Sequence, residues 1–192
     1  MSGDRIYPDE PAGPFEPPPL SFEDREGRHI EIRPYPGEAD GESGEDAFEA
    51  LVEMYTAFDP ADRAQGIPPG REEDVRSWLE TILGGDGYNV VAWHGDAVAG
   101  HATLVPDTQA TPGEDVHELA IFVLQAYQGA GIGTRLMEAL LGHGAANGVE
   151  HVWLTVERWN RAAVGLYKKM GFETSDAESF ELEMTARLAP PE

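Results

Sequence analysis

Cysteine is missing from this chain of 192 residues. Its absence excludes disulfide bonds, thiolate metal sites and any mechanism in which a cysteine carries an acyl group. No apolar run approaches the ~20 residues that cross a bilayer. The N-terminal residues are acidic and proline-rich, whereas a signal peptide is basic and apolar. The sequence therefore predicts a soluble, cytoplasmic protein.

Lysine is scarce, because Lys168 and Lys169 are the only two among 13 basic residues, against 36 acidic ones. The formal net charge of −23 excludes nucleic acid and anionic membranes as partners, since both attract basic proteins. Acid excess spread along the chain, with so little lysine, predicts a halophilic protein that works in concentrated salt. An acidic mesophilic protein is the alternative.

One stretch departs from this acidity. Residues 128–171 contain five basic and three acidic residues, which leaves them at a local net charge of +2. A locally positive stretch in an acidic chain predicts that an anionic ligand docks there. A chance fluctuation of charge is the alternative.

The chain divides into an N-terminal arm and one domain. Residues 1–28 hold six prolines before Leu20 and show little periodicity, which predicts a flexible arm or a strap laid over the surface. Hydrophobic periodicity in residues 29–192 predicts helices over residues 46–58, 72–83, 131–147 and 161–170, and strands over residues 29–33, 88–93, 97–105, 116–124, 149–156, 172–174 and 180–185. This order is typical of an α/β (α+β) fold with a central, mixed but mostly antiparallel sheet and about four helices.

A glycine-rich turn joins the strand at residues 116–124 to the next helix. It comprises Gln128, Gly129, Ala130, Gly131, Ile132, Gly133 and Thr134. Backbone N–H groups at such a turn point into one concavity, and the helix adds about half a positive charge, so a phosphate or diphosphate is the natural guest. The alternative is that the glycines serve only a tight turn and close packing. The turn lacks the Gly-Lys-Ser/Thr of a P-loop, and Thr134 replaces the third glycine of a dinucleotide fingerprint.

Two further runs make the pattern more specific. Gln128-x-x-Gly131-x-Gly133 follows a strand, NRAA stands at residues 160–163, and LYKKMGF stands at residues 166–172. Together they resemble the GCN5-related N-acetyltransferase (GNAT) superfamily. The resemblance implies a twisted sheet with two splayed strands at an acyl-CoA site. It also implies transfer of an acetyl group from acetyl-CoA to a primary amine, directly and within a ternary complex.

The resemblance also implies which residues hold acetyl-CoA. The backbone of Gly129, Ala130, Gly131, Ile132, Gly133 and Thr134, with Gln128 before it, binds the diphosphate. The backbone of Ile121, Phe122 and Val123 pairs with pantetheine, and the Val123 N–H polarises the thioester carbonyl. Asn160 contacts the cofactor, although it is equally suited to a plain helix N-cap.

Two side chains are candidates for proton transfer. Tyr167 matches the tyrosine that protonates the departing thiolate, and packing with a wet hydroxyl is its alternative role. The resemblance implies Glu118 as the base, because several family members carry there a glutamate that deprotonates the amine, and its apolar neighbours would raise the pKa of the carboxyl group. His117 is the rival base and points to the opposite strand face. An ordinary surface residue is the alternative for Glu118.

The acceptor is less well defined. The connection at residues 58–69 is stiffened by prolines, and Asp59, Asp62 and Arg63 are suited to orienting a charged small-molecule or peptide amine. No histidine pair has metal-ligand spacing, so no metal is expected. The sequence allows a homodimer. A non-catalytic acyl-CoA-binding regulatory module of the same fold is the alternative function, and amine acetylation distinguishes the two.

Overall fold

The structure, a computed structural model, describes residues 5–36, 44–63, 67–177 and 180–192. Strands and helices follow one another as β1 Leu20–Glu23, β2 His29–Tyr35, α1 Gly44–Thr56, α2 Glu72–Gly84, β3 Tyr88–His94, β4 Ala97–Pro106, β5 Val116–Val123, α3 Ile132–Ala146, β6 His151–Glu157, α4 Arg161–Lys169, β7 Glu173–Ala177 and β8 Glu181–Arg187. No helix within these ranges has the length and apolar character needed to cross a membrane.

All eight strands form one sheet in the order β1-β2-β3-β4-β5-β6-β8-β7. β5 and β6 pair in parallel, and the other pairs are antiparallel. Helix α3 connects the parallel pair, as a crossover between parallel strands requires. The predicted mixed, mostly antiparallel sheet with four helices is therefore confirmed.

Each face of the sheet carries its own hydrophobic core. Strand β3 shows why, because Val90 and Ala92 pack on the side of α3 while Val91 and Trp93 pack on the side of α1 and α2. This alternation follows from the period of two along a strand. The sheet is thus buried on both faces at its centre, which holds β4 and β5 rigidly beside the site described below.

Residues 5–28 lie against the domain. Leu20 pairs with Ile32 in β2, and the Ala12 N–H donates to the Arg187 carbonyl at 2.7 Å. The boundary drawn at residue 28 therefore falls within the β1–β2 hairpin. Strand β1 was not predicted, because four residues in a proline-rich stretch show no periodicity of their own and are ordered by pairing with β2.

The predicted elements differ from the observed ones mainly at their ends. Helix α1 runs from Gly44 to Thr56, whereas the periodicity predicted residues 46–58. Strand β7 extends over Glu173–Ala177 rather than residues 172–174. In the connection at residues 58–69, Pro60–Asp62 forms a 3₁₀ turn, and residues 64–66 lie outside the described ranges.

Candidate active site

The central feature of the site is a gap between β5 and β6. The parallel pairing covers Val116 with His151, His117 with Val152 and Glu118 with Trp153. Beyond that last pair β5 continues to Val123 and β6 to Glu157 without pairing to each other. The edge of β5 that faces β6 therefore keeps its backbone groups available, as the predicted splay requires.

The gap contains two adjoining cavities. One has a volume of about 280 Å³ and is lined by Asp62, Ile67, Glu118, Leu119, Ala120, Ile121, Phe122, Thr155, Val156, Glu157, Asn160, Ala163, Tyr167 and Glu181. The other has a volume of about 510 Å³ and is lined by Phe58, Ala61, Asp62, Arg63, Ile121, Phe122, Val123, Gln128, Glu157, Trp159 and Asn160. The cavities share Asp62, Ile121, Phe122, Glu157 and Asn160, so they form one cleft.

The backbone of Val123 faces this cleft. Leu124 N–H donates to the Ala99 carbonyl of β4 at 2.9 Å, and successive peptide groups along a strand point to opposite edges. The Val123 N–H consequently points away from β4 and towards β6. The Val123 carbonyl accepts the Nε2 amide of Gln128 at 2.9 Å, which is consistent with that orientation.

The glycine turn leaves a concavity at the N-terminus of α3. Gly131 is the N-cap with φ +90°, and no side chain caps the helix. Gly129 has φ +74°, and a Cβ added there would meet no atom within 4 Å. The first N–H groups of a helix lack intrahelical partners, so they are available to an anion in this open space. The turn therefore fits a diphosphate.

The side chains of the turn have different surroundings. Those of Ala130 and Ile132 are buried in the protein, so only their backbone can face a ligand. Gln128 Nε2 also donates to Asp62 Oδ2 at 3.1 Å, and thereby joins the turn to the loop that follows α1. Gln125, which the sequence did not single out, donates from Nε2 to the Ala57 carbonyl at 2.8 Å. This hydrogen bond joins the segment after β5 to the end of α1.

Asn160 caps α4 and also lines both cavities. Its side-chain oxygen accepts the Ala163 N–H at 3.2 Å, so the N-cap alternative is present in the structure. The cap fixes the start of α4 and hence the position of Tyr167, two turns further along the helix. Contact of Asn160 with the cofactor stays a prediction.

Tyr167 lines the smaller cavity. The residue is 8% exposed, and its ring lies 6.0 Å from that of Phe172. Burial raises the pKa of the Tyr167 hydroxyl to about 12, because a buried phenolate loses its hydration. The hydroxyl has no hydrogen-bond partner among the described residues, and it therefore remains available as a proton donor.

Glu118 lines the same cavity as Tyr167. Glu118 is exposed as a whole residue, yet partial burial of its carboxyl group at the cavity wall and the nearby charge of Asp107 raise its pKa, while Arg5 lowers it. A carboxyl group with a raised pKa is better matched to accepting a proton near neutral pH. The residues predicted for catalysis from separate parts of the sequence thus meet at one cavity.

His117 is placed on the opposite face of β5. Its side chain is 7% exposed and Nδ1 lies 3.3 Å from Asp115 Oδ1. The histidine lines neither of the two cavities. Burial lowers the pKa of His117, and Asp115 partly opposes that effect. The geometry favours Glu118 over His117 as the base.

An aromatic cluster forms the floor beneath Phe122. The ring of Tyr55 packs edge-on against Phe122 at 5.6 Å, and the hydroxyl of Tyr55 lies 2.6 Å from His101 Nδ1. His101 Nε2 lies 2.9 Å from Asn89 Oδ1. Because Asn89 Oδ1 accepts, Nε2 carries the proton, and Nδ1 accepts from the Tyr55 hydroxyl. This series of buried hydrogen bonds holds Tyr55 in place against Phe122.

Three further residues line the cleft that the sequence analysis did not assign to the site. Glu157, Glu181 and the exposed Trp159 line it. Glu157 and Trp159 lie at and just after the end of β6, whereas Glu181 begins β8, so no local pattern brings all three together. Of the predicted acceptor residues, Asp62 and Arg63 line the cleft. Among the described residues, no group of three or more His, Asp or Glu side chains is placed to hold a metal ion.

Comparison with proteins of known sequence finds similarity to mycothiol acetyltransferases. The mycothiol acetyltransferase of Nocardiopsis dassonvillei is 30% identical over 180 residues, which cover 90% of this chain and 52% of that protein. That of Amycolatopsis mediterranei is 30% identical over 140 residues, 70% of this chain and 45% of that protein. The chain spans about half the length of these curated relatives.

Solved structures share the fold. The GNAT domain of S. lividans PAT has a TM-score of 0.70 at 18% identity, with 88% of this chain and 97% of that chain covered. A Salmonella typhimurium protein solved with its cofactor acetyl-CoA has a TM-score of 0.60 at 20% identity, with 83% of this chain and 94% of that chain covered. A model of the acetyltransferase (GNAT) family matches residues 48–172. Since this match spans most of the chain, the protein belongs to the acetyltransferase (GNAT) family.

Proposed function

We propose that this chain transfers the acetyl group of acetyl-CoA to a primary amine, directly and within a ternary complex. The observation that carries the proposal is the open gap between β5 and β6, which joins the glycine turn at one end to Glu118 and Tyr167 at the other. Acetyl-CoA supplies the acyl group as a thioester. The lack of cysteine supports direct transfer rather than a thiol-bound acyl enzyme.

The backbone of the chain performs the binding. The N–H groups from Gly129 to Thr134 hold the diphosphate, and the free edge of β5 at Ile121, Phe122 and Val123 pairs with pantetheine as an added strand would. The Val123 N–H polarises the thioester carbonyl because it is directed into the cleft. Asn160, which caps α4 and lines both cavities, contacts the cofactor in this proposal.

Two side chains move the protons. Glu118 takes a proton from the ammonium group, so that the amine nitrogen can form the new C–N bond. The C–S bond of the thioester breaks, and Tyr167 gives its proton to the sulfur that leaves. Tyr167 suits this role because the raised pKa keeps it protonated at neutral and moderately alkaline pH. The nitrogen loses its second proton as the amide forms, and this proton restores Tyr167, while solvent removes the proton held by Glu118.

Carboxylates surround the acceptor position. Asp62, Glu118, Glu157 and Glu181 line the smaller cavity, and their charge attracts a cationic amine. The proposed acceptor of this chain is therefore a cationic primary amine.

Mass spectrometry of products tests the proposal. The protein is incubated in molar KCl, as its acidic composition recommends, with acetyl-CoA and a mixed library of primary amines. We expect one or more amines to gain an acetyl group and free CoA to appear in equal amount. CoA binding without any acetylated amine would instead identify an acyl-CoA-binding regulatory module.

A further inference from the structure

The turn between β1 and β2, residues 24–28, packs against the glycine turn. Arg25 N–H donates to the Ala130 carbonyl at 3.1 Å. Arg28 Nη1 donates to the Ala126 carbonyl at 3.0 Å, and its guanidinium lies 4.5 Å from the centre of the Tyr127 ring. The β1–β2 turn therefore contacts residues 126–130, which lie just before the start of α3.

Asp24 holds this hairpin turn in one conformation. Its carboxylate accepts the N–H groups of Glu26 and Arg28, both at 2.9 Å, and Arg28 Nε at 2.7 Å. The Asp24 side chain is fully buried, so these charge-assisted hydrogen bonds are shielded from water. The backbone of Arg25 is fixed between these contacts, which aims its side chain at the glycine turn.

The Arg25 guanidinium borders the concavity above Gly131. Its Nη1 donates to the Gly129 carbonyl at 3.4 Å, and its Nε lies 3.9 Å from the position that a Cβ on Gly131 would take. No carboxylate of the described residues forms an ion pair with Arg25, whereas Arg28 pairs with Asp24 and Arg135 with Glu138.

We propose that Arg25 is a ligand of the cofactor diphosphate, so that β1 and its turn form part of the acyl-CoA site. This inference rests on the proposed function. The backbone of the glycine turn offers dipoles without a full charge, while the chain as a whole repels anions with its net charge of −23. A guanidinium at the rim supplies the missing positive charge and matches the geometry of phosphate oxygens.

Binding measurements on Arg25→Gln test the proposal over a series of KCl concentrations at which circular dichroism shows that both proteins are folded. We expect its Kd for CoA to rise about tenfold, as for loss of a charge-assisted hydrogen bond. The Kd of Arg25→Lys for CoA should lie between those of wild type and Arg25→Gln. Pantetheine, which lacks phosphate, should bind wild type and Arg25→Gln equally in ligand-observed NMR. The tenfold difference should shrink as KCl screens the charge.

Arg71→Gln is the matched control, because it removes the same charge from the exposed side chain of the residue that precedes α2. It should leave the Kd for CoA unchanged. If wild type binds CoA and Arg25→Gln binds it equally well, the inference is overturned while the proposed function stands. Equal weakening of CoA and pantetheine would assign Arg25 a structural role only. Failure of wild type to bind CoA would overturn both.

Discussion

Glu118 pairs in parallel register with Trp153, and this is the last pair that joins β5 to β6. On its other edge β5 stays paired with β4 as far as Val123. Strand β5 is thus held on one side and free on the other over the same residues. Glu118 marks the point of divergence, and it lines the cleft that opens beyond that point.

Replacing Glu118 with glutamine tests the base. We expect kcat to fall by about 10²- to 10⁴-fold, the usual contribution of general base catalysis, with the Kd for CoA unchanged. Glu150→Gln is the control, because Glu150 is exposed just before β6. Steady-state kinetics and calorimetry provide the two numbers. If Glu118→Gln keeps the activity of wild type, another group acts as the base.

The pH profile of wild type should report the environment of Glu118. The base acts only when deprotonated, so kcat/KM should fall as the pH drops through its pKa. Burial and Asp107 raise that pKa, and the acid limb should therefore lie above the range of an ordinary glutamate. Arg5→Gln should move the limb to higher pH, since Arg5 lowers the pKa and pairs with Asp107 at 2.8 Å.

Asp107→Asn should move the same limb in the opposite direction, because it removes a charge that raises the pKa of Glu118. The pair of variants separates an electrostatic effect from a general loss of structure, which would lower kcat/KM at every pH. Identical limbs in all three proteins would show that Glu118 does not control the profile.

Tyr167→Phe tests the acid. The change removes only the hydroxyl, so we expect kcat to fall by about 10²-fold while CoA binds as before. Because the pKa of Tyr167 is raised to about 12, wild type should keep its activity through moderately alkaline pH. Tyr88→Phe is the control, since its hydroxyl also lacks a hydrogen-bond partner among the described residues but lies outside the cleft. Equal turnover in wild type and Tyr167→Phe would contradict the assignment.

Hydrophobic periodicity was sufficient to predict the long helices and strands. Helix α3 carries an apolar stripe, and β3 and β4 are joined by the turn at Gly95, so both features are local. Strand β1 was missed because its order depends on pairing with β2 rather than on its own four residues. The same limit hid Arg25, whose position depends on how that hairpin packs on a turn about 100 residues later in the chain.

The site was predictable only in part. Glu118 and Tyr167 came from a resemblance between motifs, and no periodicity in either segment shows that they line one cavity. Glu157 and Glu181 meet because β6 pairs with β8, where Glu157 stands opposite Glu181. Such a meeting follows from strand order, which a pattern along one segment does not contain.

The series of buried hydrogen bonds beneath the cleft predicts a dependence of stability on acid. Burial lowers the pKa of His101 to about 3, while the unfolded chain has the ordinary value of about 6.5. Between these values the unfolded state binds one more proton, so the free energy of unfolding should fall by up to about 1.4 kcal/mol per pH unit as the pH decreases. Above the ordinary value this contribution is absent.

His101→Asn should abolish this pH dependence of the free energy of unfolding, because the variant lacks the imidazole that titrates. It should also destabilise the core at neutral pH by disrupting the contact with Tyr55. Urea unfolding measured at several pH values gives both quantities. His29→Asn is the control, because its imidazole is exposed, and it should leave the slope as in wild type. An unchanged slope in His101→Asn would show that another group titrates.

Two glycines at the ends of α3 provide a final, matched test of the anion site. Gly131 has φ +90° and Gly148 has φ +91°, so a side chain at either position is strained by about 1–2 kcal/mol. Gly131→Asp also places a carboxylate in the concavity at the helix N-terminus, and we expect it to abolish CoA binding. Gly148→Asp should lose similar stability in urea unfolding and keep its affinity for CoA. Tight CoA binding by Gly131→Asp would place the diphosphate outside this turn.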